Sequence, residues 1–296
     1  LYKYFPGIKA FGCCHEVFGT QSLIADAFKE KTGLSITREE VNVNVIGINH
    51  FTWITEAHYN NTDLFPIYAD FVSGWYEKGY EHSDGNWLNN FFECANRVKF
   101  DLFKRYGSIA AAGDRHLAEF CPGSWYLGSV ENVRFWKFGL TPVLWRKNNL
   151  RDRIEYTKRL IRGEEKLSLT VTGEEGTKQM KAILGIEPLV TNVNLPNRGQ
   201  VSNLPHGFVV ETNASFSPRG VQPVVAGAIP PGIDNLVQRV AYNQTLTLEA
   251  AVTGNYELAF KAFINDPLVT ISLHDSRKLF DEMLKNTSRY LPGYSV

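Results

Sequence analysis

The sequence has little cysteine, no excess of either charge and no long hydrophobic run, and each absence removes a class of protein. Four cysteines in 296 residues, two of them adjacent, do not make a disulfide framework. Basic and acidic residues both number 31, so no basic excess attracts a nucleic-acid backbone or an anionic membrane. No run approaches the roughly eighteen apolar residues that span a bilayer, and the first residues do not resemble a signal peptide. We therefore expect a cytoplasmic globular protein whose partner is a small molecule.

The sequence also lacks a phosphate-binding loop. No Gly-x-Gly-x-x-Gly fingerprint, no Walker-type loop and no internal repeat occurs. Residues 1–7 (LYKYFPG) read like the end of a helix and a turn, so we expect the natural protein to begin further upstream. The length suffices for one large or two ordinary domains.

What is present is a thiol, an imidazole and a carboxylate in a row within residues 11–21 (FGCCHEVFGTQ). Residues 8–13 have the pattern of a short buried strand, and residues 22–28 have helical spacing. A strand that passes into a helix leaves the residues between them at a sheet edge, where open α/β folds bind ligands, so we expect Cys14, His15 and Glu16 there. For Cys13 we favour a buried structural thiol, whereas for Cys14 a structural role and a metal or catalytic role both remain open.

The rest of the chain reads as mixed α/β. Alternating residues over 41–54 predict one strand that carries Asn49 and His50 at its end. Residues 113–120 (GDRHLAEF) form a second ionisable cluster, although a surface helix that begins near Asp114 is an equally good interpretation. We predict strands at 189–199 and 208–212. We predict helices at 61–82 (a hairpin), 91–106, 151–166 (an exposed helix or arm), 174–186, 232–252, 256–264 and 275–287.

Four motifs together resemble glycoside hydrolase family four, in order and spacing over essentially the whole chain. They are residues 12–17 (GCCHEV), 47–53 (GINHFTW), 113–114 (GD) and 192–197 (NVNLPN). The resemblance implies an NAD- and divalent-metal-dependent glycosidase, outside the usual two-carboxylate mechanism. It implies that residues 1–60 end a truncated Rossmann-like NAD domain and that residues 61–296 form a mixed α+β domain for substrate binding and oligomerisation, as in the lactate and malate dehydrogenases. The glycine-rich loop for NAD would lie outside this chain, so the fragment alone should be inactive, and the family predicts a homodimer or homotetramer.

The family's chemistry, by resemblance, oxidises sugar C3 with NAD⁺, removes the C2 proton, eliminates the aglycone and then adds water. A metal, Mn²⁺ or another divalent ion, binds the C2 and C3 oxygens. Carried over by position, Cys14 and His50 match the metal ligands, His15 the general acid, and Asp114 the general base that other members replace by tyrosine. Substrate contacts are expected from Asn49, Glu16, Arg115, His116 and Asn194, with Arg115 and His116 favoured for a uronate carboxylate.

Residues 14–17 (CHEV) resemble the α-galacturonidase subgroup. His15 argues against a phospho-sugar substrate, because family members that act on phospho-sugars carry Asp or Asn after the cysteine. The leading hypothesis is an α-galacturonidase. The alternatives are an α-galactosidase or α-glucosidase of the same family acting on neutral sugars, and a non-catalytic metal- or sugar-binding module. A 2-hydroxy-acid dehydrogenase is disfavoured, because it would need no pair of Cys14 and His50.

Overall fold

The fold is mixed α/β, as the sequence predicts. The computed structural model describes residues 1–81, 86–169 and 173–291. The helices in these ranges are α1 (Glu16–Thr32), α2 (Phe65–Trp75), α3 (Arg97–Tyr106), α4 (Asp114–Phe120), α5 (Gly123–Tyr126), α6 (Val130–Trp136), α7 (Val143–Ile161), α8 (Gly176–Ile183), α9 (Ile233–Thr253), α10 (Tyr256–Ile264) and α11 (Leu273–Thr287). The strands are β1 (Asn42–Ile48), β2 (Phe51–Tyr59), β3 (Thr62–Asp63), β4 (Ile109–Ala110), β5 (Leu189–Pro196), β6 (Val209–Ser217) and β7 (Gly220–Pro223).

Residues 41–54 form a hairpin and not the single strand that their alternation predicts. β1 and β2 are antiparallel, with Ile48 opposite Phe51, so the chain reverses at Asn49 and His50. Gly47 makes this possible: its φ is 143°, and a Cβ there would lie 2.5 Å from the carbonyl oxygen of Phe51. His50 has a φ of 63°, in the left-handed region that few non-glycine residues adopt. The reversal places His50 at the tip of the hairpin.

Both sheets of the described chain are antiparallel. In the first, β1, β2 and β3 lie side by side and β4 pairs with β2, whereas β5, β6 and β7 make up the second. The buried strand predicted at residues 8–13 is wrong, because this segment makes only an isolated bridge in which Gly12 and Asn194 exchange backbone hydrogen bonds of 3.0 and 2.9 Å. The start of α1 is therefore attached to the edge of β5, and no parallel sheet edge presents Cys14 to Glu16 within the described residues.

Several helices differ from prediction at their N-termini. Residues 61–82 contain β3 and one helix, α2, in place of a helical hairpin, and residue 82 lies outside the described residues. The helix predicted from residue 91 begins at Arg97, and it ends at Gly107 as expected, with a φ of 67°. The charged arm is α7, which buries none of its residues. α8 to α11 confirm the four helices predicted in the C-terminal half.

The first sheet is buried on both faces. Ile46 and Trp53 belong to one hydrophobic cluster, while the adjacent Val45 and Ile54 belong to another, because successive side chains of a strand point to opposite faces. The second cluster joins α1 and the first sheet to α2, so it spans residues on both sides of position 60; the domain boundary there stays a prediction. Among the described helices, none is long and apolar enough to cross a membrane.

Candidate metal and substrate site

Three separate chain segments bring Glu16, His50 and His116 together. Glu16 begins α1, His50 lies in the β1–β2 turn and His116 lies in α4. One ligand atom from each lies within 4.8 Å of the other two, and all three side chains are half-buried. The imidazole centroids of His50 and His116 are 4.3 Å apart. In the described ranges this is the one group of histidine, cysteine and acidic side chains compact enough to hold a metal ion.

Glu16 is positioned as an ionised ligand. Its Oε2 accepts a hydrogen bond of 2.8 Å from the backbone N–H of Gly113, and its Oε1 lies 3.6 Å from His116 Nε2. Burial alone would raise the pKa of Glu16, but the Gly113 hydrogen bond and the nearby His116, His50 and Lys99 outweigh it and lower the pKa below its usual value. The carboxylate is therefore available to a cation.

The surroundings of the two histidines suit both of them to binding a cation. Burial and the neighbouring His116 lower the pKa of His50, which favours the neutral form that coordinates metals. His116 Nδ1 lies 3.3 Å from Glu119 Oε2, which leaves Nε2 on the side of Glu16. A carboxylate behind a histidine is the usual outer partner of a metal-binding imidazole, because it fixes the ring orientation.

The donor set fits a first-row divalent ion. Two imidazoles and one carboxylate, with further positions open, suit Mn²⁺ or Fe²⁺ better than a purely oxygen-binding ion such as Ca²⁺. His50 is one of the predicted ligands, but the structure groups it with Glu16 and His116, which the sequence assigned to substrate, and not with Cys14. Cys14 is only 7% exposed, and burial raises the pKa of its thiol to about 11. It would have to lose that proton to coordinate an ion.

Asn49 and Asn194 lie beside this group and contact each other. The Nδ2 of Asn194 donates to Asn49 Oδ1 at 3.1 Å and to Glu211 Oε2 at 3.3 Å. Glu211 also accepts from Asn192, and sequence reasoning assigned it no role. The one signal was a charged residue inside the apolar run of residues 208–212 (FVVET). Burial raises the pKa of Glu211 to about 7.

His15 and Arg115 flank the three ligands. His15 is exposed immediately before α1, with its Nδ1 2.9 Å from Glu174 Oε1. Arg115 is anchored, because its Nη1 donates to the Phe91 carbonyl oxygen and to Thr141 Oγ1, both at 3.0 Å. Its Nη2 lies 3.4 Å from His116 Nε2, so the guanidinium is held beside the ligands.

Asp114, the predicted general base, lies in the interior of the structure. It has no exposed surface, and its oxygens accept hydrogen bonds from the backbone N–H groups of Val98 and Lys99 at 3.2 and 3.1 Å. These groups belong to the first turn of α3, whose own N-cap residue provides no side-chain cap. Asp114 therefore caps α3 from a distant part of the chain. Burial raises its pKa to about 6, and the nearby Lys99, also buried, opposes that shift.

Comparisons with known proteins identify the family of most of the chain. Residues 45–269 match the family described as "Family 4 glycosyl hydrolase C-terminal domain". An α-galacturonidase of Thermoanaerobacterium saccharolyticum is 57% identical over 298 residues, which cover 100% of this chain and 64% of that protein. The crystal structure of lplD from Bacillus subtilis, described as a glucosidase, has a TM-score of 0.89 at 48% identity and covers 96% of this chain and 64% of that one.

A more distant structure shares the fold. A 6-phospho-α-glucosidase from gut microorganisms, solved in complex with NAD and Mn²⁺, has a TM-score of 0.74 at 18% identity over 100% of this chain and 65% of that chain. The chain thus spans 64% of the length of the Thermoanaerobacterium α-galacturonidase, which it matches from end to end. On the family match and the 57% identity together, the chain belongs to glycoside hydrolase family 4.

Proposed function

We propose that the full-length protein is an α-galacturonidase that uses NAD and a divalent metal held by Glu16, His50 and His116. The observation that carries this proposal is the convergence of one carboxylate and two imidazoles within 4.8 Å in a family 4 chain. The 57% identity to an α-galacturonidase supports the substrate, and a family fold solved with NAD and Mn²⁺ supports the cofactors. The ion, when bound, would stabilise negative charge on the sugar oxygens, and NAD⁺ would supply a reversible oxidation of the sugar.

The chain's own residues then divide the remaining work. Asn49, at the exposed hairpin tip beside His50, would orient a sugar hydroxyl. His15, exposed at the start of α1, would donate a proton to the departing glycosidic oxygen. Because Asp114 is buried and caps α3, we assign the removal of the C2 proton to a group other than Asp114. We retain Cys14, two residues before Glu16, as a candidate additional ligand.

Arg115 is our candidate for the uronate carboxylate. Two oxygens already fix its Nη1, so the guanidinium plane is oriented before a substrate arrives, and this reduces the entropy lost on binding. Its position beside His116 would bring a carboxylate close to the ligands. A planar guanidinium recognises a carboxylate through two parallel hydrogen bonds, which a neutral galactoside cannot provide.

The test is the release of galacturonic acid from an α-galacturonide by the full-length protein, with NAD⁺ and Mn²⁺ each present or omitted. Activity that requires both additions is the expected result. Turnover of a neutral α-galactoside in preference to the galacturonide would retain the family and overturn the substrate. No turnover of any glycoside would favour a metal- or sugar-binding module. We further infer a cytoplasmic homodimer or homotetramer, which light scattering and cell fractionation test directly.

A further inference from the structure

A buried carboxylate lies behind the three candidate ligands and touches none of them. Glu211 is in the middle of β6, is 1% exposed, and stands opposite Asn194 of β5 in the antiparallel register. A buried carboxylate is costly unless its oxygens are hydrogen-bonded. Each oxygen of Glu211 accepts from a different side-chain amide, Oε1 from Asn192 at 2.6 Å and Oε2 from Asn194 at 3.3 Å.

Both amides use their remaining N–H on the segments that carry the ligands. Asn192 Nδ2 donates to the carbonyl oxygen of Cys14 at 3.1 Å, two residues before Glu16. Asn194 Nδ2 donates to Asn49 Oδ1 at 3.1 Å, and Asn49 immediately precedes His50. An amide nitrogen carries two hydrogens, so each of these amides is fully engaged as a donor. One carboxylate thus connects, through two asparagines, to the start of α1 and to the tip of the β1–β2 hairpin.

The orientation of Asn194 is set by its acceptors. Its own Oδ1 is buried and has no hydrogen-bond partner among the described residues. An unpaired buried oxygen is unfavourable. The amide nevertheless keeps this orientation because both of its N–H groups meet acceptors, Glu211 on one side and Asn49 on the other. Without the Glu211 carboxylate, the contact with Asn49 alone would favour this orientation of the amide over the reverse one.

We propose that Glu211 is a positioning residue, which holds the Asn192 and Asn194 amides so that the segments bearing Glu16 and His50 meet with the spacing that a metal ion requires. The inference rests on the metal site proposed above. The side-chain hydrogen bonds of Glu211 in the described structure are to the two asparagines, and it would act through them.

The variant Glu211→Gln separates this role from packing, because glutamine has nearly the same volume. Glutamine replaces one of the two accepting carboxylate oxygens by an NH2 donor, so only one of the two asparagine amides keeps its acceptor. Asn194 is then expected to rotate, so that its unpaired Oδ1 accepts from the new amide and its N–H groups turn away from Asn49. The fold should survive, but the hairpin tip would lose its connection to β5. Glu211→Asp, which keeps the charge and shortens the reach, should fall between Glu211→Gln and the wild type.

The experiment is a Mn²⁺ titration of the full-length protein followed by the electron paramagnetic resonance signal of free Mn²⁺, with melting temperatures measured in parallel. Glu175→Gln is the matched control, because Glu175 is a similarly buried glutamate that pairs with Arg38 and has no hydrogen bond to either segment among those observed. We expect the Kd for Mn²⁺ to rise at least tenfold in Glu211→Gln and to stay within twofold in Glu175→Gln.

A second variant tests the same connection if Glu211→Gln does not fold. Asn194→Ala keeps Glu211 paired with Asn192 and removes only the connection to Asn49, so its Kd should rise in the same direction by a smaller factor. A wild type that binds Mn²⁺ together with a Glu211→Gln variant of equal affinity overturns the positioning role and leaves the metal site standing. A wild type that binds no Mn²⁺ overturns the metal site and this inference with it.

Discussion

The imidazole rings of His50 and His116 lie 4.3 Å apart between centroids and are inclined by 36°. Two cationic imidazoles at this separation would repel each other, and burial together with the neighbouring His116 lowers the pKa of His50. Glu16 Oε1, 3.6 Å from His116 Nε2, supplies negative charge at the same place. We infer that the two imidazoles and Glu16 share one bound cation.

Replacing either histidine by alanine should abolish tight Mn²⁺ binding. His50→Ala and His116→Ala each remove one of the three donors. Removing a group that only hydrogen-bonds a metal ligand already weakens metal affinity by roughly 10- to 100-fold. We therefore expect the loss of a ligand itself to raise the Kd by roughly a hundredfold or more. Isothermal titration of the full-length protein with Mn²⁺ measures this. Cys14→Ala is the discriminating comparison, because near-normal affinity in that variant would exclude Cys14 from the ligands. Wild-type affinity in His116→Ala would restore the predicted pair of Cys14 and His50.

Asp114→Asn should lower stability without stopping proton exchange at substrate C2. The variant weakens the cap of α3 and removes one of the two carboxylates near the buried Lys99, the other being Glu16. Asparagine keeps one acceptor oxygen, so one of the two backbone hydrogen bonds is lost; this costs about 0.5–1.5 kcal/mol, and a lower melting temperature should report it. Exchange of the C2 proton with solvent, measured by NMR at a temperature where the variant is folded, should continue. Loss of exchange in a fully folded variant would return Asp114 to the role of general base.

Stability should fall as the pH rises from about 4.5 to about 7, in part because of Glu211. Burial, and to a smaller extent the charge of Glu16, raises the pKa of Glu211 from 4.5 to about 7 against the hydrogen bonds from Asn192 and Asn194. The folded state therefore holds this proton more tightly than the unfolded state, so the contribution is fully present below the unfolded pKa and is lost as the pH passes the folded pKa. At about 1.4 kcal/mol per pKa unit, the change is of order 3 kcal/mol.

Urea unfolding of the full-length protein at a series of pH values measures that slope. The Gln side chain in Glu211→Gln cannot ionise, so this variant should have a smaller slope, most clearly between pH 6 and 7, above the raised pKa of Asp114. The Glu175→Gln control should retain the wild-type slope. An equal slope in the wild type and in Glu211→Gln would mean that other groups dominate the pH dependence.

Gly47→Ala should destabilise the protein and weaken metal binding together. An alanine Cβ would lie 2.5 Å from the Phe51 carbonyl oxygen and would require a φ of 143°, which non-glycine residues avoid. We expect a loss of about 1–3 kcal/mol, the usual cost of a strained backbone position. Gly74→Ala, in α2 with open space around its Cβ position, is the matched control and should be neutral or slightly stabilising. Equal melting temperatures for the two variants would contradict the role given to Gly47.

Arg115→Lys should reduce discrimination for the uronate. Lysine keeps the charge but cannot form the two parallel hydrogen bonds to a carboxylate, nor can it keep both contacts with Phe91 and Thr141. We expect kcat/KM for an α-galacturonide to fall by roughly 10- to 100-fold, corresponding to about 1.5–3 kcal/mol for a charged hydrogen bond. Turnover of a neutral α-galactoside should change little. A parallel loss on both substrates would show that Arg115 supports the structure only.

The sequence predicted the long elements well and the site partly. Helices such as α9 and α11 and strands such as β5 carry their own periodicity, and Gly107 terminates α3 as expected, since these signals are local. The sequence analysis missed the β1–β2 hairpin. Asn49 and His50 are two polar residues within an alternating pattern, and two polar residues alone do not distinguish a turn from a continuous strand. Only the steric demand at Gly47 distinguishes the reversal.

The pairing of site residues depends on contacts between distant segments. His116 and Glu16 were selected as polar residues near motifs, but their meeting with His50 follows from how α4 packs against the start of α1 through Gly113. Asp114, two residues before His116 in α4, lies on a different face of that helix and points towards α3. Helical spacing separates the two side chains, but it does not say which of them faces the site. Glu211 has no motif of its own and becomes visible only once β5 and β6 are aligned.

The three candidate ligands come from segments that are far apart along the chain. An ion shared among Glu16, His50 and His116 would act as a cross-link, closing two long loops of the polypeptide at a single point. Binding restricted to the folded state raises stability with the logarithm of the free ion concentration. The thermal lifetime of this protein would then follow the supply of metal in its surroundings, and a chelator would act on it as a denaturant.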